Sequence, residues 1–121
     1  MIDVIRVSQI LLRFSGLSQD ALADSMPVVA VTCAECSEKL LSPEHADNPL
    51  VLEAVAALCN YRLLLRDKTY REGTTAFSAG DVSASVSPAA MLESAVRLRD
   101  DTYAAAARYF EDTDFLFRQV Q

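Results

Sequence analysis

Cys33-Ala-Glu-Cys36 is the one stretch of this sequence with the spacing of a metal or redox motif. Two thiolates three positions apart can share a zinc ion, which takes four ligands. His45 and Cys59 would have to complete the set, and that would use every cysteine and histidine in the chain. Periodicity points the other way. Val29, Cys33, Cys36 and Leu40 recur at spacings of four, three and four, so both cysteines fall on the apolar stripe of a helix. Cys59 falls on the inner stripe of another, and free cysteine packs as a small hydrophobe. No strand–helix–strand pattern of a thioredoxin-like site surrounds the pair. The leading expectation is three core cysteines with no cofactor. A small cytoplasmic regulatory or metal-binding module built on Cys33, Cys36, His45 and Cys59 is the alternative.

Other chemistry is weaker. A Cys–His nucleophile would depend on His45, which stands in the polar connector SPEHADNP, where an exposed loop histidine is expected. Glu111, Asp112 and Asp114 lack the ligand spacing and glycine of a calcium loop, so a solvated acidic cluster is expected. Gly16, Gly73 and Gly80 are too scattered to cradle a phosphate. Arg62, Arg66, Lys68 and Arg71 fall within ten residues. Arg62 and Arg66 share a helix face, where they could pair with acidic residues of a neighbouring subunit or stay solvated. No catalytic residue is expected, and the chain is not read as an enzyme.

Positioning these residues falls to a chain of 121 residues, enough for one domain and one core. At 51% hydrophobic and 23% charged it has a globular composition. The net charge of −6 argues against nucleic acid or anionic lipid as a partner. No apolar run reaches the length of a membrane span, and the odd cysteine count without a secretion signal favours a reducing cytoplasm.

The patterning predicts four to five helices and one β-hairpin-like arm, a mainly α bundle. The first helix runs from Ile2 to about Phe14, with Val4, Ile5, Ser8, Leu11 and Leu12 inward, and Gly16 closes it. Ser18 caps a short second helix to about Asp24, and Pro27 opens a third to Leu40, stopped by Ser42-Pro43. Asn48-Pro49 starts the strongest helix, about Leu50 to Lys68. Leu52, Val55, Ala56, Cys59 and Leu63 line its inner side, and Leu58, Tyr61, Leu64 and Leu65 widen the apolar surface. A helix that apolar is central, or is shared with a neighbour. Val82, Ala84 and Val86 alternate with Ser83, Ser85 and Ser87, so residues 74–87 are expected to form the arm. Residues 76–78 would pair across Ala79-Gly80-Asp81; otherwise the segment is an extended loop that orders on a partner. Ser87-Pro88 begins the last helix, to about Phe110, and 112–121 reads as an extended tail.

Three stretches of the second half, AALCNYRLLLRD, FSAGDVSASVSP and LESAVRLRDDTYAAAARYFEDTDFLFRQV, carry a resemblance. Over about residues 50–121 the chain is similar to head–tail connector (head-completion) proteins of tailed phages and prophages. Ala79-Gly80-Asp81-Val82-Ser83 and Asp112 through Val120 are its most specific parts. Connectors of this type often carry a longer and more polar tail than follows Phe117 here. The resemblance implies a non-enzymatic subunit of a homo-oligomeric ring under the portal. Its partners would be copies of itself, the portal, and tail or second connector proteins. It would be found in the bacterial cytoplasm during assembly and then in the virion. The contact residues it implies are Phe77, Val82 and Val86 in the arm and Phe115 and Phe117 in the tail.

Overall fold

The computed structural model describes residues 1–72 and 88–111, without the side chains of 67–72 and 88. Four α-helices stand among them: α1 (Val4–Ser15), α2 (Gln19–Glu38), α3 (Pro49–Glu72) and α4 (Pro88–Ala106). Short 3-10 turns at Pro43–Asp47 and Ala107–Tyr109 complete the order. The fold is mainly helical. The expected arm at 74–87 and tail at 112–121 lie outside the described residues.

Local chemistry accounts for the helix ends. Asp3 caps α1, its carboxylate accepting from the Ile5 amide at 2.9 Å. Gly16 closes the helix in the left-handed region (φ 71°), its amide donating to the Leu12 carbonyl at 2.9 Å. Asp3 as a cap moves the start of α1 past Ile2, and the buried face becomes Val7, Ser8 and Leu11. Ile5, expected inside, is 60% exposed. Ser18 caps α2 through the Ala21 amide, and Asn48 caps α3 through the Leu50 amide at 2.8 Å, as their positions before Gln19 and Pro49 predict.

The two helices expected on either side of Pro27 are one. α2 runs unbroken through Pro27 because Leu22, Ser25, Val29, Thr32, Cys33 and Cys36 form a single buried stripe that spans it. Proline removes one backbone bond and crowds the carbonyl four residues back. Both Pro27 and Ala23 are exposed, so that loss falls where water can reach the freed carbonyl. Burial of the opposite face outweighs it.

α3 is the centre of the bundle. It packs against α1, α2, α4 and the first 3-10 turn, and from Val51 to Asn60 every residue but Glu53 is buried. The apolarity that suggested a neighbouring subunit is therefore spent largely inside the chain. α4 turns Ala95, Arg99, Tyr103 and Ala106 inward, and the α-helix tightens to 3-10 at Ala107, before Phe110. One short antiparallel bridge ties the chain ends of α2 and α4 together, with Leu40 opposite Phe110. The Leu41 amide donates to the Tyr109 carbonyl at 2.9 Å and the Glu111 amide to the Lys39 carbonyl at 2.8 Å.

Candidate functional site

The motif cysteines lie where the bundle is driest. Cys33 and Cys36 on α2 and Cys59 on α3 are fully buried and free, and Cys36 and Cys59 each lie close enough to feel another cysteine's charge. Burial, more than any neighbour, disfavours their thiolates. It raises Cys33 from 9.0 to about 11, with help from the Asp3 carboxylate, and Cys59 to about 12. Cys36 rises further still. A thiol held protonated in this way is a poor nucleophile and a poor metal ligand.

His45 is elsewhere. It sits half-buried in the first 3-10 turn, its ring 4.9 Å from that of Tyr109. Among the described residues no group of three or more His, Cys, Asp or Glu side chains is placed to hold a metal ion. The four-ligand set of Cys33, Cys36, His45 and Cys59 is not brought together. His45 is also not the exposed loop residue its neighbours suggested, because Tyr109 arrives beside it through the bridge between 39–41 and 109–111.

A polar seam flanks the thiols. Arg62 of α3 reaches α2, its Nη1 donating to Glu35 Oε1 at 2.7 Å and to Thr32 Oγ1 at 2.9 Å. Thr32 is fully buried and also hydrogen-bonds the Cys59 thiol, which opposes part of the rise in that group. Arg62 is thus engaged within its own chain. Arg66, one turn on, is exposed. Thr32 carries no chemical signal in the sequence; only its place one residue before Cys33 on the stripe could have indicated it.

A buried cation joins α4 to α3. Arg99 is 7% exposed, its guanidinium carbon 4.5 Å from the centre of the Tyr61 ring. Its Nε and Nη2 both lie 3.1 Å from Asp100 Oδ1. At the bundle's end Arg108 and Asn48 hydrogen-bond the Tyr109 hydroxyl and lower its pKa. These groups fasten elements of the bundle together.

The surface offers shallow hollows. One of about 370 Å³ is lined by Met1, Ala34, Ser37, Glu38, Leu40 and Pro43. A second, of about 330 Å³, lies between α1 and the start of α3, with Arg6, Gln9, Arg13 and Glu53 on its walls. A third, of about 390 Å³, runs along α4 past Leu92 and Val96. Met1 (73% exposed), Leu41 (59%) and Val31 (56%) are among the large apolar side chains left in water. The contact residues Phe77, Val82, Val86, Phe115 and Phe117 all lie outside the described residues.

Among the described residues no helix is long and apolar enough to cross a membrane. No protein-family model matches the chain, and neither does any curated protein or solved structure.

Proposed function

We propose that this chain is a non-enzymatic structural protein of a tailed phage or prophage, a head–tail connector subunit that forms a homo-oligomeric ring under the portal. The observation that carries the reading is the resemblance of the second half, above all Ala79-Gly80-Asp81-Val82-Ser83 and the stretch Asp112 through Val120. A small helical bundle agrees with it. So does the engagement of Arg62 and Arg99 in holding helices together.

Much of α3 is covered by its own chain and Arg62 is paired to Glu35, which leaves the ring's subunit contact fewer candidates there. The reading therefore places it on the arm, through Phe77, Val82 and Val86 by strand addition, and on the tail, through Phe115 and Phe117. Such a contact joins unlike surfaces head to tail, which closes into a ring when the rotation permits.

Light scattering on size-exclusion chromatography tests it, with the full chain and a variant lacking residues 74–87, each alone and mixed with a phage portal protein. A ring-sized species that needs 74–87 is the expected result. A chain that stays monomeric in every mixture, with or without that segment, overturns the reading. Zinc analysis of the purified chain tests the metal-module alternative, which no observation favours.

A further inference from the structure

We infer that the hollow between α1 and the start of α3 receives the outer side of α4 from a second copy of this chain, with Arg6 and Arg13 meeting Glu93 and the pair Asp100–Asp101. This contact goes beyond the ring reading, whose contact lies on other residues, and each is tested apart from the other.

The hollow has about 330 Å³ and an apolar floor, half-buried Ile10 and Phe14 with buried Leu52. Charges stand at its rim. Arg6 and Arg13 are seven residues apart, so they leave α1 on nearly one line with their attachment points roughly 10 Å apart. Arg6 holds Asp47 only loosely, at 3.8 Å, with that carboxylate 84% exposed. Arg13, and Glu53 on the α3 wall, have no ion partner among the described residues. On a chain of net charge −6, two cations over an apolar floor select an acidic amphipathic element.

The outer side of α4 has that character. The helix packs mainly on α3, and away from it Leu92, Glu93, Val96 and Arg97 line a hollow of their own. Glu93, Arg97 and Asp101 follow at four-residue steps, negative, positive, negative. All three are exposed and have no ion partner among the described residues. From Glu93 to Asp100 and Asp101 is roughly 10–12 Å along the helix, the separation of the two arginines. Laid in the hollow, α4 sets an acidic group against each guanidinium and leaves Arg97, between them, for Glu53. Leu92 and Val96 supply the apolar side that the floor requires.

Within one chain this side of α4 faces away from the bundle, so the hollow it fits belongs to another copy. The two surfaces are unlike, and the contact is therefore head to tail, leaving one of each free to continue. One helix in one hollow is a small contact of the weak, transient kind. Repetition in an assembly strengthens it without new contacts.

Light scattering of the full chain over a concentration series reads this contact. The apparent mass should rise toward a dimer and beyond, and fall back as salt is raised, because exposed charges carry the recognition. Arg6→Glu with Arg13→Glu should hold the chain monomeric where the wild type associates, and so should Glu93→Arg with Asp101→Arg. Mixed one to one, these two variants should associate again, since each keeps one native face and the reversed faces match. Asp24→Arg with Glu44→Arg, an equal change of charge away from both surfaces, should leave association as it was. All six replaced residues are exposed, so each variant should keep the far-ultraviolet helical signal. A wild type that stays monomeric at every concentration overturns the proposal. Association that both face variants retain also overturns it, as does equal loss in the Asp24 and Glu44 variant. Association that needs residues 74–87 but ignores these charges favours the arm reading and sinks this contact; the opposite pattern does the reverse.

Discussion

The guanidinium carbon of Arg99 lies 4.5 Å from the centre of the Tyr61 ring, and the arginine is held there by Asp100, its own neighbour in sequence. α4 thus carries a buried charge into the bundle together with its counter-ion and meets an aromatic face on α3. A cation over a ring in a dry site contributes on the order of 1–2 kcal/mol. Arg99→Ala is expected to cost about 2 kcal/mol in urea unfolding, since the stem's packing goes as well. Arg99→Lys should recover only part, because an ammonium cannot present two nitrogens to Asp100 in the same plane. A double-mutant cycle with Tyr61→Leu should return a coupling of about 1 kcal/mol. Additivity of the two changes would show that the ring contact contributes nothing.

Arg62, Thr32 and Glu35 should behave as a unit. Arg62 and Glu35 are partly exposed, at 25% and 45% of their side chains, so the ion pair itself contributes at most about 1 kcal/mol after solvent screening. Loss of the bond to the fully buried Thr32 hydroxyl adds to that, and Arg62→Ala is expected to cost about 1–2 kcal/mol. In a Thr32→Val background the same change should cost less. An equal cost in both backgrounds would show that the Thr32 bond carries no energy.

The thiols predict an alkaline limit to stability. In the unfolded chain they ionise around their ordinary value of 9.0, while in the fold Cys33 holds its proton to about 11 and Cys59 to about 12. Between those values the unfolded chain binds fewer protons than the folded one, so stability falls as pH rises. It should be unaffected by the thiols below about pH 9 and decline above it. Cys33→Ala and Cys59→Ala, each weaker at neutral pH because of the cavity left, should show a shallower decline over that window. An unchanged slope would mean that the thiols ionise freely in the fold. A thiol-specific reagent should likewise react slowly with the native chain at pH 8 and fully in denaturant.

Pro27→Ala is expected to stabilise the chain. The replacement regains the amide that the middle of α2 lacks and relieves the crowding at the Ala23 carbonyl. Extra freedom in the unfolded chain offsets about 0.4–1 kcal/mol of that. A net gain of about 1–2 kcal/mol should appear as a higher urea midpoint with an unchanged slope. A loss of stability would mean that the proline is needed where it stands.

Much of the layout was legible because helix ends are local. Ser18, Asn48 and Gly16 cap where their positions predict, since a cap needs only the residues within one turn of it. The inner face of α3 was legible from spacing alone, with Leu52, Val55, Ala56, Cys59 and Leu63 all buried. The break expected at Pro27 was not there, because a local penalty was set against a stripe of six buried residues whose burial depends on α1 and α3. The side of α1 that faces the core was only half legible, since Ile5 and Val7 are equally apolar and the position of α3 chose between them.

The chemical residues divide in the same way. Periodicity alone indicated that Cys33, Cys36 and Cys59 belong to a core, because stripe position is a property of one helix. That His45 lies against Tyr109 instead of beside them depends on a bridge between segments seventy residues apart. Whether Arg62 would face a neighbour or its own chain was likewise open, since a charge on a helix has no partner until a second helix is laid beside it. The structure laid α2 there, with Thr32 and Glu35 one turn apart beneath the guanidinium. Sequence determined caps, stripes and the fate of the thiols; packing decided which polar groups meet, because those distances exist only between elements.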